Sequence, residues 1–181
     1  PGPAQPDEAA RTLALAGQTC LPGLIDVHTH LAFETSPTGY TDQFRWNPAD
    51  YAVRATVHAR RTLEAGFTTV RDLGDSGGIV VALRNAINAG VVPGPRIHAA
   101  GRPIGSTGGH ADPTDGYRAD LAGDPGPESG VVNGVTDAWK AVRLHYKEGD
   151  DVIKIMPSGG VLDESASADN PQLTLEEIQA V

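Results

Sequence analysis

The 181-residue chain has a single cysteine, Cys20, so no disulfide can close within it and a reducing compartment is permitted. No apolar run approaches the roughly 20 residues that a membrane-spanning helix needs. Positive charge is scarce. Against 23 Asp and Glu stand 14 Lys and Arg, and the net charge of −9 argues against nucleic acid or an anionic membrane surface as a partner. The opening Pro1-Gly2-Pro3-Ala4-Gln5-Pro6 lacks the basic-then-apolar pattern of a signal peptide, and a cytoplasmic protein is expected. An initiator methionine is also missing, so upstream residues are expected to have been removed or omitted. No Gly-Lys-Ser/Thr marks a phosphate-binding loop. No Ser/His/Asp order stands out and Cys20 has no evident base, which leaves nucleophilic serine or cysteine hydrolysis a weak hypothesis.

What is present is a soluble globular composition, 39% hydrophobic and 20% charged, in a chain long enough for one domain with a real core. Gly 22 and Pro 14 imply many turns or long loops. After a Pro-rich leader over 1–10, Arg11–Gly17 reads as a short strand and Leu24–Leu31 as a second, entered through Pro22-Gly23. Asn47-Pro48 starts a helix running to about Ala65 and closed by Gly66. Phe67–Leu73 is β-branched and extended, a helix runs from Ile79 to Ala89, and Arg96–Ala100 is another short strand. A Gly/Pro/Asp-rich segment from Gly101 to Gly130 is too long for an ordinary connection. A helix over Val132–Lys147, a strand over Asp151–Met156 and a capping box at Thr174–Glu177 complete the order. From the Leu24 strand onward, strand and helix alternate four times, which implies parallel strands with helical crossovers. A (β/α)8 barrel takes about 250 residues, so the fold class expected is α/β, a partial TIM-type barrel of about four βα units. A complete four-stranded open sheet is the other reading; the end of the chain inside a capped helix favours the partial barrel.

Chemistry concentrates in three places. His28 and His30 are spaced i, i+2, so a strand points both imidazoles to one face, where they suit a metal ion; a hydrogen-bonded pair at a strand end is the alternative. Lys154 lies inside an apolar strand, where it must pair, snorkel or lose its charge. Gly105–His110 follows a strand end, so its glycines allow backbone to approach a ligand and His110 could donate to substrate, or the loop is simply solvated. Ser158-Gly159-Gly160 has the same shape. Asp72 ends a strand and could orient a ligating histidine, cap the strand or pair with Arg71. His58 and His145 fall on expected helices, where packing or surface roles fit better, and His98 could face either way.

Together these residues resemble the amidohydrolase superfamily. Leu21-Pro22-Gly23-Leu24-Ile25-Asp26-Val27-His28-Thr29-His30-Leu31 is similar to its first-strand motif, and Gly66-Phe67-Thr68-Thr69-Val70-Arg71-Asp72 to its second strand. Val152-Ile153-Lys154-Ile155 with Ser158-Gly159-Gly160 resembles the fourth strand of members with a carboxylated lysine. Thr107-Gly108-Gly109-His110 narrows the likeness to the prolidase-like group, with its Xaa-Arg/Lys and Xaa-Pro dipeptidases. The likeness runs from about residue 11 to 181. It implies two divalent ions, Zn2+ by preference, with His28 and His30 on the more buried one and Lys154, as a carbamate, bridging both. It implies a dipeptide or other small amide as substrate, contacted by His110, and a homo-oligomeric parent. Residues 1–20 would then be a leader and the remnant of a small β-domain, and 21–181 the N-terminal half of the barrel. Two more histidines and the proton-transferring aspartate would come from later strands, so this length alone is expected to be inactive. A mononuclear imidazolonepropionase-like enzyme and a non-catalytic half-barrel completed by a partner chain are the competing expectations.

Overall fold

In the computed structural model, which describes residues 15–160 and 168–181, Pro22 and Gly23 feed the chain into β1 (Leu24–Thr29). A β-carbon at Gly23 would overlap the Thr68 side chain, so only glycine lets this entry lie against the neighbouring strand. The segment after His30 contains a short helix, α1 (Gly39–Asp42), that the sequence pattern did not announce. At α2 (Pro48–Glu64) the Asp50 carboxylate accepts the Asn47 N–H at 2.9 Å and Pro48 occupies the first turn, as the cap signals require. Gly66, at φ 98°, reverses the chain into β2 (Phe67–Asp72). Then come α3 (Ile79–Asn88) and β3 (Arg96–Ala99).

The three strands form a parallel sheet in the order β1-β2-β3, with Thr29 opposite Asp72 and Asp72 opposite Ala99. One face of this sheet is packed: Val70, Ile97 and Ala99 meet Ala55 and Ala59 of α2 and Ile79, Val80 and Leu83 of α3. Alanines on α2, fully buried, let the helix approach the sheet closely. His98 and Arg71 alternate onto the opposite, open face.

Beyond β3 the expected fourth strand is not a regular strand. Asp151–Met156 follows the chain only at separate points: the Asp151 N–H bonds Ala99 O at 2.8 Å, the Ile104 N–H bonds Lys154 O at 2.8 Å, and the Met156 N–H bonds Ile104 O at 2.8 Å. A single parallel bridge pairs Ile104 with Ile155. The reason lies in the opposing segment: Gly101, at φ 59°, turns the chain and Pro103 has no N–H to donate, so the ladder is interrupted. Helix α4 (Ala119–Ala122) and a 3-10 turn at Pro127–Ser129 give the long Gly/Pro/Asp segment local order.

Helix α5 (Val135–Glu148) starts three residues later than expected, because Val131 bridges Gly105 and the Val132 N–H bonds Gly105 O at 2.8 Å. Helix α6 (Leu175–Ala180) carries the expected box, Thr174 accepting the Glu177 N–H and Glu177 the Thr174 N–H. A second apolar cluster joins Ile104, Val132, Ala141 and Leu173, with Ile153 and Ile155 packed on it. Of the expected strand Arg11–Gly17, residues 11–14 lie outside the described residues and Leu15–Gln18 form a turn, the Gln18 N–H bonding Leu15 O at 3.0 Å. Among the described residues, no helix is long and apolar enough to cross a membrane.

Candidate metal centre

β1 places His28 and His30 as the spacing requires, with ring centres 5.3 Å apart and the rings inclined at 62°. His30 is half-buried and His28 exposed. The Nδ1–H of His30 donates to Gly74 O at 3.0 Å, the tautomer that leaves Nε2 with a free lone pair. Phe33 stacks on the other side of the ring at 5.2 Å. Gly74 is a glycine for a reason: a β-carbon there would stand 3.2 Å from His30 Cε1 and 3.3 Å from Pro103 Cγ.

Asp72 ties this corner together. Its side chain, on a residue 1% exposed, accepts the Leu31 N–H at 2.6 Å and the Gly74 N–H at 3.3 Å. It thereby holds the residue after His30 and the residue whose carbonyl orients His30. Burial pushes the Asp72 carboxyl up to about 6, against the opposing pull of those two N–H groups and of His30. Asp72 therefore acts on the His30 corner through the backbone rather than through a side-chain contact to an imidazole.

The donor set suits a divalent ion. Burial, then the positive charges of Lys154, His30 and Arg71, lower the pKa of His28, which keeps its imidazole neutral and able to ligate. With a metal–nitrogen bond of about 2.1 Å, two imidazoles on one tetrahedral zinc have centres roughly 5 Å apart, which matches the observed pair. Lys154 is half-buried and electrostatically linked to His28, and its neighbours Ile153 and Ile155 pack on the second apolar cluster. Among the described residues, no three His, Cys, Asp or Glu side chains converge as a metal-holding group.

His110 is held elsewhere on the same rim. Its N–H donates to Gln172 Oε1 at 2.9 Å, and its ring lies so close on Gly160 that a β-carbon there would overlap it. The two glycine-bearing loops singled out in the sequence therefore meet each other. His58 fastens α2 to the strand end by donating Nδ1–H to Leu31 O at 2.9 Å, and His145 is buried against Asp150 at 2.6 Å, so both serve packing.

Sequence reasoning missed the loop after β2, where Gly74-Asp75-Ser76-Gly77-Gly78 carries the signal of glycines directly after a strand. It also missed a cleft of about 940 Å³ that opens beside His30 and is lined by Phe33, Trp46, Tyr51, Arg54, His58 and Asp75.

A parallel sheet flanked by helices, with paired histidines at the C-terminal end of its first strand, has the site position of a TIM-barrel-type hydrolase. The model of the amidohydrolase family matches residues 19–181, and the chain belongs to that family. A crystal structure of a Xaa-Pro dipeptidase with methionine bound in its active site is 48% identical, with a TM-score of 0.80 over 88% of this chain and 39% of that one. A prolidase complexed with N-methylphosphonate-L-proline is 31% identical, with a TM-score of 0.72 over 94% of this chain and 43% of that one. Ochratoxinase from Aspergillus niger is 30% identical over 173 residues, which cover 89% of this chain and 35% of the relative. The chain thus spans well under half the length of the proteins it matches.

Proposed function

We propose that the chain is the first half of the catalytic barrel of a metal-dependent hydrolase that cleaves amide bonds in dipeptides or N-acyl amino acids. The carrying observation is the His28–His30 pair: 5.3 Å between ring centres, with His30 fixed by Gly74 O in the tautomer that frees Nε2. The 48% identity to a Xaa-Pro dipeptidase supports the prolidase-like assignment. In this reading residues 21–181 supply about four βα units of a (β/α)8 barrel, residues 1–20 a remnant of a small β-domain, and the remaining ligands and the proton-transferring aspartate come from strands outside the chain. The parent would be a cytoplasmic homo-oligomer.

His28 and His30 would hold a divalent ion, Zn2+ by preference, and Lys154, as a carbamate, would serve as a ligand to it and to a second ion. Bound there, the ions supply a Lewis acid for the scissile carbonyl and lower the pKa of an attacking water. The linkage between Lys154 and His28 supports the carbamate. An ammonium this near His28 disfavours a cation, whereas carboxylation replaces it with a negative charge that attracts one. His30, held by Gly74 and Phe33, keeps its Nε2 aimed without rotamer freedom. His110, braced by Gly160 and Gln172, binds the substrate from the opposite loop.

Zinc titration with bicarbonate present tests the reading. The chain should take up zinc, His28→Ala and His30→Ala should each abolish uptake, and Lys154→Ala should remove its bicarbonate dependence. Metal uptake indifferent to all three substitutions would refute the site. Full retention of metal by Lys154→Ala would favour a mononuclear enzyme instead. The chain by itself should show no dipeptide hydrolysis.

A further inference from the structure

The cleft beside His30 holds an arginine, Arg54, for which no ion-pair partner is found among the described residues, although Glu34, Asp42 and Asp75 also line it. The Arg54 guanidinium lies 3.8 Å above the centre of the Trp46 ring, and Trp46 packs edge-to-face on Tyr51 at 5.3 Å. A guanidinium seated over an aromatic face can still donate its N–H groups to an anion. Among the described residues, no carboxylate forms an ion pair with Arg54. Each acid sharing the cleft has another contact: Glu34 faces His58 and Arg61 at 3.8 Å each, Asp42 accepts the Thr38 hydroxyl at 2.9 Å, and Asp75 accepts the Val80 N–H at 3.1 Å while its Oδ1 has no hydrogen bond among the described residues. Trp46 and Tyr51, with Phe33 against His30, give the cleft an aromatic side beside its Ser, Thr and acidic residues. A volume of about 940 Å³ is that of a small-molecule site.

We propose that this cleft is a receptor for a carboxylate carried on an aromatic or apolar body, with Arg54 as the anion anchor and Trp46, Tyr51 and Phe33 as the wall for the apolar part. An N-acyl amino acid has this chemistry, with one free carboxylate, an apolar side chain and an amide between them. The inference rests on the proposed amidohydrolase function for its meaning as a substrate arm. The binding itself involves neither His28 nor Lys154.

The test is calorimetric titration of the metal-free chain, kept in a chelator, with hippurate and with benzamide. Hippurate should bind saturably and benzamide, which lacks the carboxylate, about tenfold or more weakly. Arg54→Met should weaken hippurate by a similar factor, with Arg54→Lys in between because a lysine keeps the charge but not the planar fork. Arg60→Met, on the same helix and paired with Glu64 at 2.7 Å, should change nothing. Equal affinities for hippurate and benzamide, hippurate binding that survives Arg54→Met unchanged, or no hippurate binding at all would each overturn the proposal. The comparison of the two ligands on the unaltered chain stands even where a variant fails to fold. Zinc uptake without hippurate binding would defeat the cleft alone. Hippurate binding without zinc uptake would defeat the metal site alone.

Discussion

The carboxylate of Asp72, at the end of the central strand, grips the backbone N–H of Leu31 at 2.6 Å, one residue beyond His30. This places a buried acid behind the candidate metal centre, where it sets the position of the edge strand without touching the imidazoles. Burial holds the Asp72 carboxyl near 6, above its ordinary value of 3.8, so the folded chain binds this proton more tightly than the unfolded chain. Its contribution to stability is therefore full below about pH 4 and is lost as pH rises through about 6. In metal-free protein, the urea stability of Asp72→Asn relative to the parent should improve by roughly 2–3 kcal/mol between pH 4 and pH 6.5. A difference that stays constant over that range would contradict the assignment.

Gly74 offers a probe of the same corner from the other side. Gly74→Ala would put a methyl 3.2 Å from His30 Cε1 and 3.3 Å from Pro103 Cγ, pushing the ring off the Gly74 carbonyl. Zinc affinity, measured against a competing chelator, should fall by about tenfold or more, while thermal stability changes little. Unaltered affinity would show that His30 does not depend on this support.

The pair His145–Asp150 is buried on both sides, with side chains 1% and 2% exposed and 2.6 Å between Nδ1 and Oδ2. His145→Ala should destabilise by about 3–5 kcal/mol, because it strands a buried carboxylate. The double change with Asp150→Ala should cost less than the sum of the single changes. Urea denaturation of the four proteins gives the coupling directly, and simple additivity would show that the contact carries no energy.

Glu177 joins two helices, its carboxylate accepting the Gly134 N–H at 2.5 Å before α5 and the Thr174 N–H at 2.7 Å at the start of α6. The Thr174 backbone, ahead of the Gly134 backbone, holds its pKa below the usual carboxylate range. Its stabilisation is present above the ordinary pKa of 4.5 and lost as pH falls through the lower folded value. Glu177→Gln should destabilise at neutral pH by about 1 kcal/mol and flatten the acid limb of a Tm-against-pH curve. A variant with an unchanged acid limb would argue against the bridge.

Local chemistry was legible in the sequence, and long-range pairing less so. The caps at Asn47 and Thr174 and the glycine closure at 66 depend on a few neighbouring residues, and the helices start and stop close to them. The His28–His30 pair was legible because a strand's period of two fixes its geometry without reference to the rest of the fold. Asp151–Met156 was misread because its alternation is that of a strand, while pairing depends on Gly101 and Pro103 some 50 residues earlier in the chain. Nothing local to Gly74 or Arg54 shows that one accepts a hydrogen bond from His30 and the other lies on Trp46, since such contacts follow only from the folded path.

β2 is hydrogen-bonded on both sides, whereas β1 is paired among the described residues only with β2. Backbone amides of a strand paired on one side open to solvent before those of a strand locked on two. Amide exchange should therefore order the sheet in time, with β2 last. A ligand that bridges His28 and His30 should slow β1 selectively, narrowing its gap to β2.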